Sequence, residues 1–191
     1  ILCDILQSAS GTAYALVNDI RDTSCTGLDG TVYQALVVHP HADGRYRPDM
    51  NEKRAVKKLT LESINRRRHK KKETMDEVAL QAKLSEHPTH ENVCQLHECA
   101  FDADSIFLVL DYCAGGDLYD FISDSSPDVR MARCKELFRG MMNGMRFIHS
   151  RGVFHRDMKP ENVMLSCKDG TGAVQIIDFG LSLPPPEGTE Y

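Results

Sequence analysis

One short stretch late in the chain has the residue types and spacing to do chemistry. The run His155-Arg156-Asp157-Met158-Lys159-Pro160-Glu161-Asn162 sets a carboxylate, an ammonium group and a carboxamide within six positions. Asp178-Phe179-Gly180 adds a second carboxylate 21 residues after Asp157. A positioned carboxylate accepts or orients a proton. A lysine neutralises anionic charge, and Asp and Asn oxygens suit a hard divalent cation. The His-Arg-Asp triplet alone reads as readily as a surface charge cluster. The full octet followed by Asp-Phe-Gly at that distance does not.

These residues need elements to hold them. A long helix is predicted from Ser126, with Pro127 suited to its first position. Its apolar residues Cys134, Leu137, Phe138, Met141, Met145 and Ile148 keep one face through about four turns, and Gly152 closes it. Short strands are predicted at 163–165 and 174–177, around a Lys168-Asp169-Gly170 turn, so the second carboxylate follows the second strand. Upstream, 14–20, 31–38 and 54–59 read as strands, with 39–52 as a polar loop. A helix is predicted over 74–86, where Met75, Val78, Ala79 and Ala82 fall at i, i+3, i+4 and i+7. His87-Pro88 ends it. Strands at 93–101 and 105–111 lead to Gly115-Gly116, after which Asp117-Leu118-Tyr119 opens a short helix. Strands, one helix, strands, a Gly-Gly joint and then mostly helix predict an α+β chain of two lobes. The joint falls near 111–116, with a cleft between the lobes.

The H-R-D-x-x-x-x-N and D-F-G elements resemble those of eukaryotic-type protein kinases. The form Asp157-x-Lys159-Pro160-Glu161-Asn162 resembles the serine/threonine branch. The resemblance implies a protein kinase-like two-lobed fold, with residues 1–110 as a β-rich N-lobe and 111–191 as the hinge and first part of a mainly helical C-lobe. It implies ATP and Mg2+ as cofactors and transfer of the γ-phosphoryl group to serine or threonine hydroxyls of protein substrates. Such catalysis is mainly positioning and charge neutralisation. In these terms Asp157 accepts or orients the hydroxyl proton, Lys159 sits near the γ-phosphate, and Asn162 and Asp178 hold the metal.

Ala55-Val56-Lys57 resembles the family's strand lysine, with Ala55 and Lys57 on one strand face. Lys57 would hold the α- and β-phosphates and pair with a helix glutamate. Glu77 is the best partner, with Lys58 and Glu73 as competitors for the two roles. Cys25-Thr26-Gly27-Leu28-Asp29-Gly30-Thr31-Val32 resembles the glycine-rich phosphate loop, retaining Gly27, Gly30 and Val32 but carrying Cys25 in place of the first glycine. Phe107 to Leu118 resembles the hinge. There Leu110 would be the gatekeeper, Asp111 and Cys113 would offer backbone groups to adenine, and Asp117 would approach the ribose. Val32, Ala55 and Met164 would sandwich the purine.

Composition bounds the rest. The chain has 191 residues, 23 basic and 28 acidic, for a net charge of −5. That balance argues against coating nucleic acid. No apolar run approaches the ~20 residues of a membrane helix. Seven cysteines without a C-x-x-C pair read as free thiols, and predict an intracellular setting, cytoplasmic or nuclear. His87, His90, Cys94, His97 and Cys99 lie close in sequence, but their spacing fits no common zinc pattern. The basic run 66–72 reads as a solvated loop or as a localisation or nucleic-acid patch. Arg156 suggests control by an upstream kinase, with Ser182, Thr189 and Tyr191 as candidate phosphosites. The sequence indicates no oligomeric state. The resemblance runs from about Tyr14 to Tyr191, with no A-P-E and no tryptophan, which implies an incomplete C-lobe. A binding module without turnover is the alternative reading, and Cys25 favours it.

Overall fold

A computed structural model of the chain describes residues 4–19, 30–43, 45–65, 70–168 and 171–184. The chain divides into two compact units. Unit 1 comprises residues 1–71 and 96–112, and unit 2 comprises 72–95 and 113–191. The chain thus passes from one unit to the other between Tyr112 and Cys113. Residues 72–95, which the sequence reading assigned to the first lobe, belong to the second unit.

Unit 1 is built on a six-stranded antiparallel sheet. Its strands are β1 (Asp4–Gln7), β2 (Ala13–Asp19), β3 (Thr31–Pro40), β4 (Tyr46–Thr60), β5 (Leu96–Phe101) and β6 (Ser105–Asp111). They run in the order β1-β2-β3-β4-β6-β5. A five-residue helix, α1 (Leu61–Asn65), follows β4. The predicted loop 39–52 is mostly strand. Only residues 41–45 separate β3 from β4, and the ladder continues through His39↔Arg47 and Pro40↔Tyr46. The polar, proline-bearing composition of 39–52 suits an exposed hairpin, whose side chains need no apolar core. β1 carries no sequence signal strong enough to find it, because only Leu6 of its four residues is buried.

One face of this sheet packs Leu6, Tyr14, Ala35, Val37, Val56, Ala100, Phe107 and Val109 into a core. The sheet curls enough for residues near its two ends to bond. Ser10 Oγ donates to Glu98 Oε2 at 2.9 Å, and Tyr14 Oη donates to Glu98 Oε1 in a very short bond. Burial pushes the Tyr14 hydroxyl pKa up, and its bond to Glu98 pushes it further. Burial alone would raise the Glu98 carboxyl. The hydroxyls of Ser8, Tyr14 and Ser10 outweigh that and hold it below its ordinary value.

Unit 2 contains α2 (Lys70–Leu84, from Lys72), α3 (Leu118–Asp124), α4 (Pro127–Ser150), a 3-10 turn at Pro160–Asn162, and the hairpin β7 (Val163–Leu165) and β8 (Val174–Ile176). Asp117 caps α3 by accepting from Asp120 N at 2.8 Å, and Ser126 caps α4 by accepting from Val129 N at 3.4 Å. Two cores form. Leu84, Val93, Ile148, Val153, Ile176 and Phe179 make one, and Leu118, Leu137, Val163, Leu165 and Val174 the other. Each such side chain contributes about 1.5–3 kcal/mol of transfer free energy.

The segment before β5 extends the small hairpin. Val93 bridges Ile176 in parallel, Ile176 N donates to Asn92 O at 2.9 Å, and Cys94 N donates to Ile176 O at 3.0 Å. Buried Asn92 also donates through Nδ2 to Val174 O at 2.8 Å. Helix α4 approaches closely enough that a Cβ on Gly144 would lie 2.7 Å from Asn92 O and 2.9 Å from Ile176 Cδ1. Two predicted helix faces shift accordingly. In α4, Leu137, Gly144 and Ile148 are buried while Cys134 and Phe138 are exposed. In α2, Met75, Ala79 and Ala82 are exposed and Val78 is half-buried, while the most buried positions fall on the stripe Glu77, Leu80, Gln81 and Leu84. That stripe keeps the i, i+3, i+4, i+7 period but includes two polar residues. A buried polar group is tolerated when bonded, and Gln81 Nε2 donates to Cys94 O at 2.6 Å.

Candidate active site

In unit 1 the ladder decides which residues share a face. Directly opposed residues of an antiparallel pair project to the same side. Val32 lies opposite Lys57, and Ala55 opposite Leu110. With Ala55 and Lys57 two apart on β4, the four predicted residues Val32, Ala55, Lys57 and Leu110 lie on one face. Val56 and Lys58 project to the other, where Val56 is fully buried in the core and Lys58 Nζ stands 5.4 Å from the Phe107 ring centroid. The geometry therefore separates Lys57 from its competitor Lys58. Asp111, last residue of β6, receives His97 Nε2 on its Oδ1 at 2.8 Å. Gly30 takes φ of +91°, and a Cβ there would overlap the Lys58 carbonyl oxygen. Glycine is required at that position by both backbone angle and space. Gly27 and Cys25 lie outside the described residues, as do Thr189 and Tyr191.

In unit 2 the octet forms a turn whose side chains grip one another. Lys159 Nζ lies 2.8 Å from Asp157 Oδ2. Asn162 Nδ2 donates to the same oxygen at 2.9 Å and to the Asp157 carbonyl at 2.7 Å. The bond from Lys159 holds the Asp157 carboxyl below its ordinary value, with Asn162 adding to the effect, and Asp157 in turn raises the Lys159 ammonium. Asp157 is thus held ionised, suited to orienting a hydroxyl. Asn162 itself is buried, and its carbonyl accepts from Ile177 N at 3.0 Å.

Buried His155 ties this turn to the Asp178 segment. Its Nε2 donates to the Ile177 carbonyl at 2.9 Å, which leaves Nδ1 to accept from Asp157 N at 3.3 Å. Its ring packs on Phe179, centroids 5.1 Å apart. Arg156 and Asp178 adopt φ of 67° and 62°. Left-handed non-glycine backbone costs about 1–2 kcal/mol per residue and persists where the surroundings impose it. Sequence reasoning assigned His155 no role beyond its place in the motif.

Asp178 Oδ1 accepts from Gly180 N at 3.2 Å. A Cβ on Gly180 would lie 3.2 Å from that oxygen and 3.6 Å from Glu77 Oε2. The structure therefore brings Glu77, Asp178 and Gly180 together. Asn162 spends its amide nitrogen on Asp157, which leaves Oδ1, and Asp178 keeps Oδ2. These are hard oxygen donors, and the pair fits Mg2+.

The predicted adenine and ribose residues of this unit also gather. Cys113 Sγ donates to Gln175 Oε1 at 3.1 Å, Gln175 lies opposite Met164, and Met164 bridges Asp117. Asp117 spends one carboxylate oxygen on capping α3. Gly115 N donates to Leu165 O at 2.8 Å, fixing the Gly-Gly joint against β7. Ser182, a predicted phosphosite, is buried, and its hydroxyl donates to His155 O at 3.2 Å. Its neighbour Leu183 pairs with Phe154 in both directions, at 2.9 and 3.1 Å. The Cys and His residues of 87–99 form no metal-ligating group among the described residues.

Comparison with known proteins shows the family. A family model described as "Protein kinase domain" matches residues 44–189. CBL-interacting protein kinase 9 of Oryza sativa subsp. japonica is 40% identical over 123 residues, covering 64% of this chain and 25% of the relative. Maternal embryonic leucine zipper kinase of Xenopus tropicalis is 32% identical over 140 residues, covering 73% and 20%. The "Negative regulator of sexual conjugation and meiosis" of Schizosaccharomyces pombe is 33% identical over 166 residues, covering 86% and 32%. The chain spans about a fifth to a third of the length of these relatives. With the family model running from the hairpin of unit 1 through the interlocked Asp157, Asn162 and Asp178 segments, the chain belongs to the protein kinase domain family.

Proposed function

We propose that this chain binds ATP with Mg2+ and transfers the γ-phosphoryl group to serine or threonine hydroxyls of protein substrates. The observation that carries the reading is the double grip on Asp157 Oδ2 by Lys159 and Asn162, together with Asp178 and the α2 residue Glu77 meeting at Gly180. In the reaction a hydroxyl oxygen bonds to the γ-phosphorus, the bond to the β,γ-bridging oxygen breaks, and ADP leaves. Asp157 aims the hydroxyl and takes its proton as the new bond forms. Lys159 exchanges its hold on Asp157 for the transferred group, where a point charge offsets the spread negative charge. Mg2+, held by Asn162 and Asp178, would neutralise phosphate charge. Lys57 would hold the α- and β-phosphates with Glu77 as its partner. Gly27, Gly30, Val32, Ala55, Leu110, Asp111, Cys113, Asp117 and Met164 would form the nucleotide site.

The relatives' names support protein partners, since CBL-interacting protein kinase 9 is named for an interacting protein. An upstream kinase or regulator is part of this reading, as is an intracellular setting for the thiols.

The test is thermal melting with and without Mg-ATP, for wild type and Asp178→Asn, followed by transfer to serine and threonine peptides. A ligand that binds only the folded state at a hundredfold excess over its Kd stabilises by about 2.7 kcal/mol. A magnesium-dependent rise lost in the variant, with peptide phosphorylation, is expected. A rise without transfer selects the binding module favoured by Cys25. No rise from a cooperatively melting chain overturns nucleotide binding.

A further inference from the structure

The β3–β4 hairpin contains a feature that phosphoryl transfer does not use. Leu36 pairs with Lys53 and Val38 with Pro48, so Val37 alone opposes the four residues 49–52. Such a bulge redirects side chains out of the regular alternation. Here it sets Asp49 and Glu52 beside His39, and one donor atom from each of the three lies within 4.8 Å of the others. Asp49 Oδ1 is fixed by Asn51 N at 2.8 Å, which leaves Oδ2. Glu52 Oε1 takes Arg54 Nη2 at 2.7 Å, which leaves Oε2. The His39 imidazole makes no hydrogen bond among the described residues.

We propose that His39, Asp49 and Glu52 form a binding site for a borderline divalent cation of the zinc class. One imidazole and two carboxylates are a donor set that zinc accepts, at bond lengths of about 2.0–2.2 Å. Bonds of that length place tetrahedral donors about 3.5 Å apart, so the three need close only by about an ångström, within the reach of side-chain rotation. Three protein ligands leave a fourth position for water. The imidazole disfavours Mg2+ and Ca2+, which take oxygen. Two charged groups face the cluster. Arg47, opposite His39, is engaged with Asp43 at 3.6 Å. Arg54 already neutralises Glu52, so it competes with the cation. The site lies wholly within unit 1 and is independent of the nucleotide reading.

The test is calorimetric titration of the 191-residue chain with Zn2+ in excess Mg2+, and with Co2+ for its visible spectrum. One Zn2+ per chain is expected, with Co2+ showing no thiolate charge-transfer band. His39→Ala and Asp49→Asn should weaken binding roughly tenfold or more, since even outer-sphere losses reach that size. Their metal-free melting should match wild type, because the hairpin is exposed. Arg54→Ala should bind more tightly than wild type. Failure of the wild-type chain to bind overturns the proposal. So do unchanged affinity in His39→Ala and a thiolate band, each of which would assign the metal to other histidines or to cysteines.

Discussion

Replacing Asn162 by Asp tests the grip on Asp157 most directly. The two side chains are nearly isosteric, so packing is kept while both Nδ2 donors are lost. At neutral pH a second carboxylate then stands where the nitrogen was, 2.9 Å from Asp157 Oδ2. Losing a hydrogen bond to a charged group costs about 1.5–3 kcal/mol, and one to a carbonyl about 1. Two like charges at that distance repel by about 5–6 kcal/mol at an effective dielectric of 20. Lys159 and the partial exposure of Asp157 cut the repulsive part by more than half, because solvent screens such charges. The expected loss at pH 7 is therefore about 3–5 kcal/mol, comparable to breaking a buried pair. Repulsion from Asp157 raises the pKa of the new carboxyl, so as pH falls toward 4 it protonates, again donates to Asp157, and most of the loss returns. Urea unfolding followed by far-ultraviolet circular dichroism reads this in a chain without tryptophan. A loss under about 1 kcal/mol at pH 7, or equal losses at pH 7 and pH 4, would refute the reasoning.

Three further outcomes follow from the geometry. Gly30→Ala meets both φ of +91° and the Lys58 carbonyl, whereas Gly11→Ala has φ of +88° but nothing within 4 Å. Melting should show a loss of about 1 kcal/mol for Gly11→Ala and at least twice that for Gly30→Ala. Glu98→Gln should cost about 1 kcal/mol at pH 7, the difference between a charged and a neutral acceptor. Because the folded carboxyl lies below its ordinary value, that contribution is present above the unfolded pKa and disappears as pH falls through the folded one. The two proteins' stabilities should converge in acid. Ser182→Asp buries a charge beside His155 O and should destabilise the chain by about 3 kcal/mol without activating transfer, while Ser182→Ala should cost about 1, both read by melting and a peptide assay.

Much of the catalytic turn is legible in the sequence because it is local. Asp157, Lys159 and Asn162 lie within six positions, so a turn at Pro160 brings them within hydrogen-bond reach of one another. The caps Asp117 and Ser126 are local too, since a cap bonds a backbone group two or three residues ahead. Strand alternation placed Ala55 with Lys57 for the same reason. The sequence could not say which side of α2 turns inward. The period admits several stripes, and the true one contains Glu77 and Gln81, which only a partner such as the Cys94 carbonyl makes tolerable. Nor could it show that 39–52 is a bulged hairpin, that Ser182 is buried under His155, or that Gly144 makes room for Asn92. The last two depend on residues tens of positions apart meeting at close range. By itself the sequence determined the family, the α+β class and the reacting groups, because spacing along one chain fixes local geometry. Only the tertiary structure decided which hydroxyls are shielded, which faces pack and that Glu98 is held ionised, because each depends on what another segment brings within a few ångströms.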